Sequence, residues 1–145
     1  MSCCKYLRTF LWRPLALLLI LIALVMQRSA IAGEIDKLLA LPEDKIDIGI
    51  VALTLAKEFY PNLDVAAYSS KIDILAEKVR WLARGTQDPE QRVRVLNTVL
   101  FRQEGFRYDR RPFSRSKQDY YFLNGILDTK QGLCYTMPLL CIAVA

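Results

Sequence analysis

The thirteen residues from Leu133 to Ala145 carry no charge, and only Tyr135, Thr136 and two thiols soften them. A helix this apolar must be buried on most sides, and nothing after it in this chain can do the burying. Pro138 limits where that helix begins. Proline has no N–H to donate, and its ring clashes with the carbonyl four residues back, so an unkinked helix starts at about Tyr135 or later. Gly132 allows a sharp turn just before it. This spacing predicts Cys134 at the mouth of the helix and Cys141, two turns deeper, as a small core residue. The run stops without a glycine, a polar cap or a basic last turn, so the expectation is a truncated domain and not a natural domain end.

Punctuation upstream predicts three helices. Asp47 can cap the first, in which Ile48, Val51, Ala52, Leu55 and Phe59 recur at helical offsets until Pro61 ends it. Asp64 can cap the second. Its stripe is Val65, Tyr68, Ile72, Leu75, Val79 and Leu82, with Lys71, Glu77, Lys78 and Arg84 left for water and Gly85 as the stop. Asp88 followed by Pro89 opens the third, with Val93, Leu96 and Leu100 as its buried stripe up to Gly105. From Phe106 to Asp119 the pattern breaks into a loop of Arg107, Arg110, Arg111, Arg115 and Lys117 mixed with Tyr108, Pro112 and Phe113. Tyr120 to Leu127 reads as a short helix or an extended segment, with a turn near Gly132. The fold class expected is mainly α.

The N-terminus looks like a leader. Lys5, Arg8 and Arg13 precede an unbroken apolar run of twelve residues, Leu15 to Met26. A spanning helix needs roughly 18 to 20 apolar residues, so the run is short for a permanent anchor, and Ala30-Ile31-Ala32 has the small-apolar-small pattern of a cleavage site. Residues 1–32 are therefore expected to be a signal peptide and 33–145 an exported segment, periplasmic or secreted. The alternative is an uncleaved leader that anchors the chain in the membrane. Cys3 and Cys4 lie before the apolar run, so nothing points to a lipoprotein.

Removing residues 1–32 takes away four basic residues and no acidic one, and the net charge falls from +5 to +1. The basic character thus belongs largely to the leader and gives no argument for nucleic acid. Basic residues interleaved with aromatics in the loop suit an acidic surface or a nucleic acid, but an exported location disfavours the latter. Cys134 and Cys141 cannot bridge each other on one helix, because seven residues at a 1.5 Å rise separate their Cα atoms by about 10 Å, beyond the ~7 Å that a disulfide spans. Unpaired thiols in an exported chain flag a reactive one. Neither metal nor nucleotide cofactor is suggested: there is no histidine, no cysteine pair at ligand spacing and no glycine-rich phosphate loop.

A thiol of ordinary acidity is mostly protonated at neutral pH, and the unpaired N–H groups at a helix N-terminus favour its anion. That placement of Cys134, within Ile126-Leu127 and Lys130-Gln131-Gly132-Leu133-Cys134-Tyr135-Thr136-Met137-Pro138-Leu139-Leu140, resembles the nucleophile segment of the transglutaminase-like superfamily, where a Gly-x-Cys turn opens a buried helix. Upstream, Pro42-Glu43-Asp44 with Ile46-Asp47, the stretch from Tyr60 to Tyr68, and Leu96-Asn97 with Leu100-Phe101 and Gly105-Phe106 resemble its bacterial SirB-type branch. The resemblance implies the N-terminal helical lobe of an α+β, papain-like domain, truncated before its antiparallel sheet. It also implies a protein or peptide substrate and a cysteine that attacks a carbonyl while a histidine on the sheet, oriented by Asp or Asn, takes the proton. Of that set only Cys134 is present. Three readings stay open: a piece of a cysteine hydrolase or amide-transferring enzyme, inactive as it stands; a non-catalytic SirB-type binding or scaffold module; and an exported helical protein whose two thiols are core residues.

Overall fold

The computed structural model describes residues 16–22, 33–110 and 118–145. The expected cleavage site and most of the basic loop, 111–117, lie outside them. The chain is mainly helical. Beyond helical stretches at 16–22 and 33–39 and a 3-10 turn at Glu43–Lys45, it forms α1 (Ile48–Ala56), α2 (Val65–Leu82) and α3 (Pro89–Asn97), which runs on as a π-helix over Thr98–Gln103. Strand β1 (Arg107–Tyr108) follows, then a 3-10 turn (Gln118–Tyr121), α4 (Leu123–Thr129), β2 (Gln131–Gly132) and α5 (Thr136–Val144). Helix α5 packs against α1, α2 and α4, so one side of the apolar C-terminal run is covered by elements that precede it, while Pro138 and Ile142 on the other side are exposed. Leu53, Ile72, Leu75, Val99, Leu100, Phe106, Leu123, Ile126, Met137 and Leu140 form the core among them.

All three aspartate caps are present. Asp47 accepts from Ile50 N–H at 2.9 Å, Asp64 from Ala67 N–H at 3.0 Å and Asp88 from Glu90 N–H at 3.1 Å, with Pro89 at the start of α3. Each satisfies an amide that the helix cannot, for about 1 kcal/mol.

The face of α1 differs from the stripe of large residues. Gly49, Leu53, Thr54 and Ala56 are buried, whereas Ile48, Leu55 and Phe59 are exposed. Small residues win because α1 comes close to its neighbours: a Cβ on Gly49 would lie 3.2 Å from Ile72 Cδ1 and 3.4 Å from Ala143 Cβ. Helix α3 departs from expectation too. Val93 is exposed, and burial begins only at Val99 and Leu100, inside the π-helical stretch. The wider turn, with Glu104 N–H donating to Val99 O at 2.9 Å, shifts the register so that these two side chains enter the core.

The segment expected to be loop after Phe106 contains β1, which pairs in parallel with β2, Arg107 opposite Gln131 and Tyr108 opposite Gly132. Arg107 N–H donates to Lys130 O at 3.0 Å and Asp109 N–H to Gly132 O at 2.9 Å. The turn before β2 is made by Lys130 in the left-handed region, φ 58°. That conformation costs a non-glycine residue about 1 kcal/mol or more. It is held by Glu104, 3.7 Å from the Lys130 ammonium, and by the Phe106 ring, 4.2 Å beneath it. Glu104 also accepts from Lys78 at 2.7 Å, and this bond chiefly holds its carboxyl below the usual carboxylate range. Gly132 therefore supplies space and not the turn. A Cβ there would meet Met137 Sδ at 2.7 Å and Ile126 Cδ1 at 2.9 Å.

Candidate active site

The strand pair delivers the chain to the cysteine. After β2, Leu133 turns inward and is buried, Cys134 and Tyr135 form an exposed turn, and α5 begins at Thr136. Met137 N–H donates to Leu133 O at 3.0 Å, so the first helical bond spans the cysteine. Pro138 has no N–H, which leaves the Cys134 carbonyl outside the ladder. Cys134 thus stands in the turn at the positive end of a helix, where backbone donors favour negative charge. Both Cys134 and Cys141 are free; Cys141 is half-buried, and burial pushes its thiol pKa up.

Thr136 fixes this turn. Its buried hydroxyl accepts from Leu133 N–H at 2.8 Å and donates to Tyr120 O at 3.1 Å, tying the residues on either side of the thiol to the 3-10 turn. Removing the hydroxyl takes the acceptor from the buried Leu133 N–H and a donor from the Tyr120 carbonyl, which costs roughly 1–3 kcal/mol. Thr136→Val is expected to lower stability by that amount in urea unfolding, whereas Thr136→Ser should stay close to the parent; equal stability of all three proteins contradicts the clamp.

Beside the turn that carries the thiol lies an open groove lined by Leu55 of α1, Phe59 just beyond it, Tyr121, Phe122, Tyr135, and Leu139 of α5; Cys134 itself is not among its lining residues. Phe59 and Phe122 are in ring contact, centroids 4.6 Å apart. Ala52, Leu55 and Phe59 of the expected apolar stripe therefore line this groove. Tyr135 is the polar neighbour of the sulfur: partial burial, then the charges of Tyr121 and Cys134, push its hydroxyl pKa up. Sequence reasoning singled out Cys134 and gave no role to Thr136, Tyr121 or Tyr135. The threonine carried little signal, since its hydroxyl reaches three residues back to the Leu133 amide, a local side-chain-to-backbone bond that a threonine makes in many settings. Among the described residues no group of three or more His, Cys, Asp or Glu is placed to hold a metal ion.

The outward face of α5 is apolar as well, with Tyr135, Pro138 and Ile142 exposed and Leu139 partly so. A helical lobe that offers a thiol in the entrance turn of its central helix, with a groove alongside, is the class of structure that fold and site define. The sequence profile of the transglutaminase-like superfamily matches residues 66–145, from the first turn of α2 through Cys134 to the end of α5, and the chain belongs to that superfamily. No curated protein and no solved structure matches the chain.

Proposed function

We propose that residues 33–145 are the cysteine-bearing helical lobe of an exported cysteine hydrolase or amide-transferring enzyme of the SirB-type branch, acting on a protein or peptide. The position of Cys134 carries this reading: an exposed cysteine in the entrance turn of α5, held by the Thr136 clamp, one residue before Tyr135, which lines an open groove. In the proposed reaction the thiolate adds to the substrate carbonyl and a thioester forms as the leaving amine takes a proton. Water or a second amine then releases the acyl group. The base and its orienting Asp or Asn come from outside these residues, because the 145 residues contain no histidine. A sheet that carries the base would cover the outward apolar stripe of α5. Without it a factor of about 10² to 10⁴ in rate is missing, and the chain as written is expected to be inactive.

Residues 1–32 are the proposed export signal, with membrane anchoring through an uncleaved leader as the alternative. Among the described residues no helix is long and apolar enough to cross a membrane. The second functional reading, a non-catalytic SirB-type binding or scaffold module, is favoured by the missing histidine.

Alkylation of Cys134 by iodoacetamide near pH 6 separates the two. In a protein that includes the base, Cys134 is expected to react faster than a simple thiol of ordinary acidity, and replacing the histidine should remove the excess. A rate equal to that of the simple thiol, or indifferent to the histidine, leaves the scaffold reading in place.

A further inference from the structure

The groove that Tyr135 lines holds no charged residue: its side chains are aliphatic and aromatic, with two phenols and the Thr136 hydroxyl as their polar groups. That hydroxyl is already committed to the Leu133 N–H and the Tyr120 carbonyl. The space, about 730 Å³, falls within the ~300–1,000 Å³ of ligand pockets. Its aromatic side is braced. The Phe122 ring meets Phe59 at 4.6 Å between centroids and Tyr60 edge-on at 5.7 Å, and the next residue, Leu123, is buried at the start of α4. Leu55, Phe59 and Tyr135 nevertheless keep 45 %, 56 % and 49 % of their surface open. A single exposed leucine is ordinary, but large apolar residues from separate elements that share one concavity mark a binding surface.

Position decides what occupies it. Tyr135 follows Cys134 directly, so the wall begins one Cα step, about 3.8 Å, from the cysteine. An extended peptide advances about 3.3–3.6 Å per residue. With its carbonyl at the sulfur, a substrate therefore brings a side chain one or two residues away to the mouth of the groove. Pro138 and Ile142, from the stripe of α5 assigned above to a covering sheet, do not line it; the facing wall is α1 and the segment entering α4. A wall without charge offers no partner to a Lys, Arg, Asp or Glu side chain, whose burial there would be costly. Its ring faces and aliphatic carbons suit an aromatic or large aliphatic one.

We propose that this groove selects the substrate of the Cys134 reaction by taking an aromatic or large aliphatic side chain close to the carbonyl under attack, with Leu55, Phe59 and Phe122 as the discriminating residues. The inference rests on the reading of Cys134 as a nucleophile. Proteins are then attacked beside bulky apolar residues, and sites flanked by charged ones are passed over.

The test needs no general base. The 145-residue chain is treated in parallel with N-phenethyl chloroacetamide and N-methyl chloroacetamide. In both, the thiolate displaces chloride, a C–S bond forms and the thiol proton passes to the buffer. Alkylation is followed at Cys134 by peptide mass spectrometry, and the ratio of the two rates is compared with the ratio for glutathione. At Cys134 it is expected to be about tenfold higher or more, the range over which an apolar pocket discriminates, with the phenethyl rate saturating as reagent is raised. Leu55→Asp and Phe59→Ala, both at exposed positions, should return the ratio to the glutathione value, whereas Ile142→Ala, outside the groove, should keep it. N-chloroacetylglycine, with a carboxylate in place of the ring, should show no gain. Because the ratio cancels the acidity of the thiol, a normal ratio at a fast-reacting Cys134 overturns the groove alone, and a raised ratio at a Cys134 of ordinary reactivity overturns the nucleophile alone. A preference that survives both wall substitutions, or an equal gain with N-chloroacetylglycine, also overturns the proposal.

Discussion

Gly125→Ala is expected to unfold the protein or to cost it more than about 3 kcal/mol. Inserting a methyl group into packed surroundings typically costs 1–3 kcal/mol, because side chains shift to make room. Here no side chain is available to shift. A Cβ on Gly125 would lie 1.6 Å from the Asp119 carbonyl oxygen and 2.5 Å from its carbon, so the 3-10 turn at Gln118–Tyr121 itself would have to lift off α4. That turn is not free to move, because the Tyr120 carbonyl accepts from Thr136 and so belongs to the clamp around the cysteine. The substitution should therefore damage the lobe and the candidate site together. Urea unfolding followed by far-UV circular dichroism checks it. A loss smaller than about 1 kcal/mol means that turn and helix are not in this contact.

The second large effect is a contrast within one helix. Leu140 and Ile142 are aliphatic neighbours on α5, but Leu140 is fully buried among α1, α2 and α4, whereas Ile142 is 61 % exposed. Leu140→Ala removes buried methyl groups and leaves a cavity, for about 2–5 kcal/mol, a fall in Tm of about 8 °C or more for a domain of this size. Ile142→Ala should stay within about 0.5 kcal/mol of the parent, since surface changes are small and alanine favours helix. Thermal unfolding of both variants on the same chain reads the difference directly. Equal losses would show that α5 is covered on both faces in solution.

That contrast also shows where the sequence was ambiguous. Every residue of α5 other than Thr136 is apolar or a thiol, so periodicity contains no information about which side faces the core. The three helices packed against one side of it settle the matter. On α1 the ambiguity led the reading to the wrong face: large residues at helical spacing looked like a core stripe, yet Gly49, Leu53 and Ala56 face inward, with Leu53 filling the core and Gly49 sitting where Ile72 and Ala143 come too close for a large side chain. On α2 the polar residues opposite the stripe removed the ambiguity, and Ile72, Leu75 and Val79 are buried as expected.

Local chemistry was legible from the residues alone: three aspartates beginning three helices, Pro89 inside the start of α3, Gly105 at φ 75° after the π-helical stretch, and Pro138 delaying α5 until Cys134 was left in the turn before it. Each depends on groups a few residues apart, and such bonds form or fail within one turn of chain. The parallel pairing of Arg107 with Gln131, the reach of Thr136 back to Tyr120 and the contact of Gly125 with Asp119 could be decided only by the tertiary structure. They join elements whose approach is set by the packing of whole helices, and no short-range pattern encodes how closely two surfaces will meet.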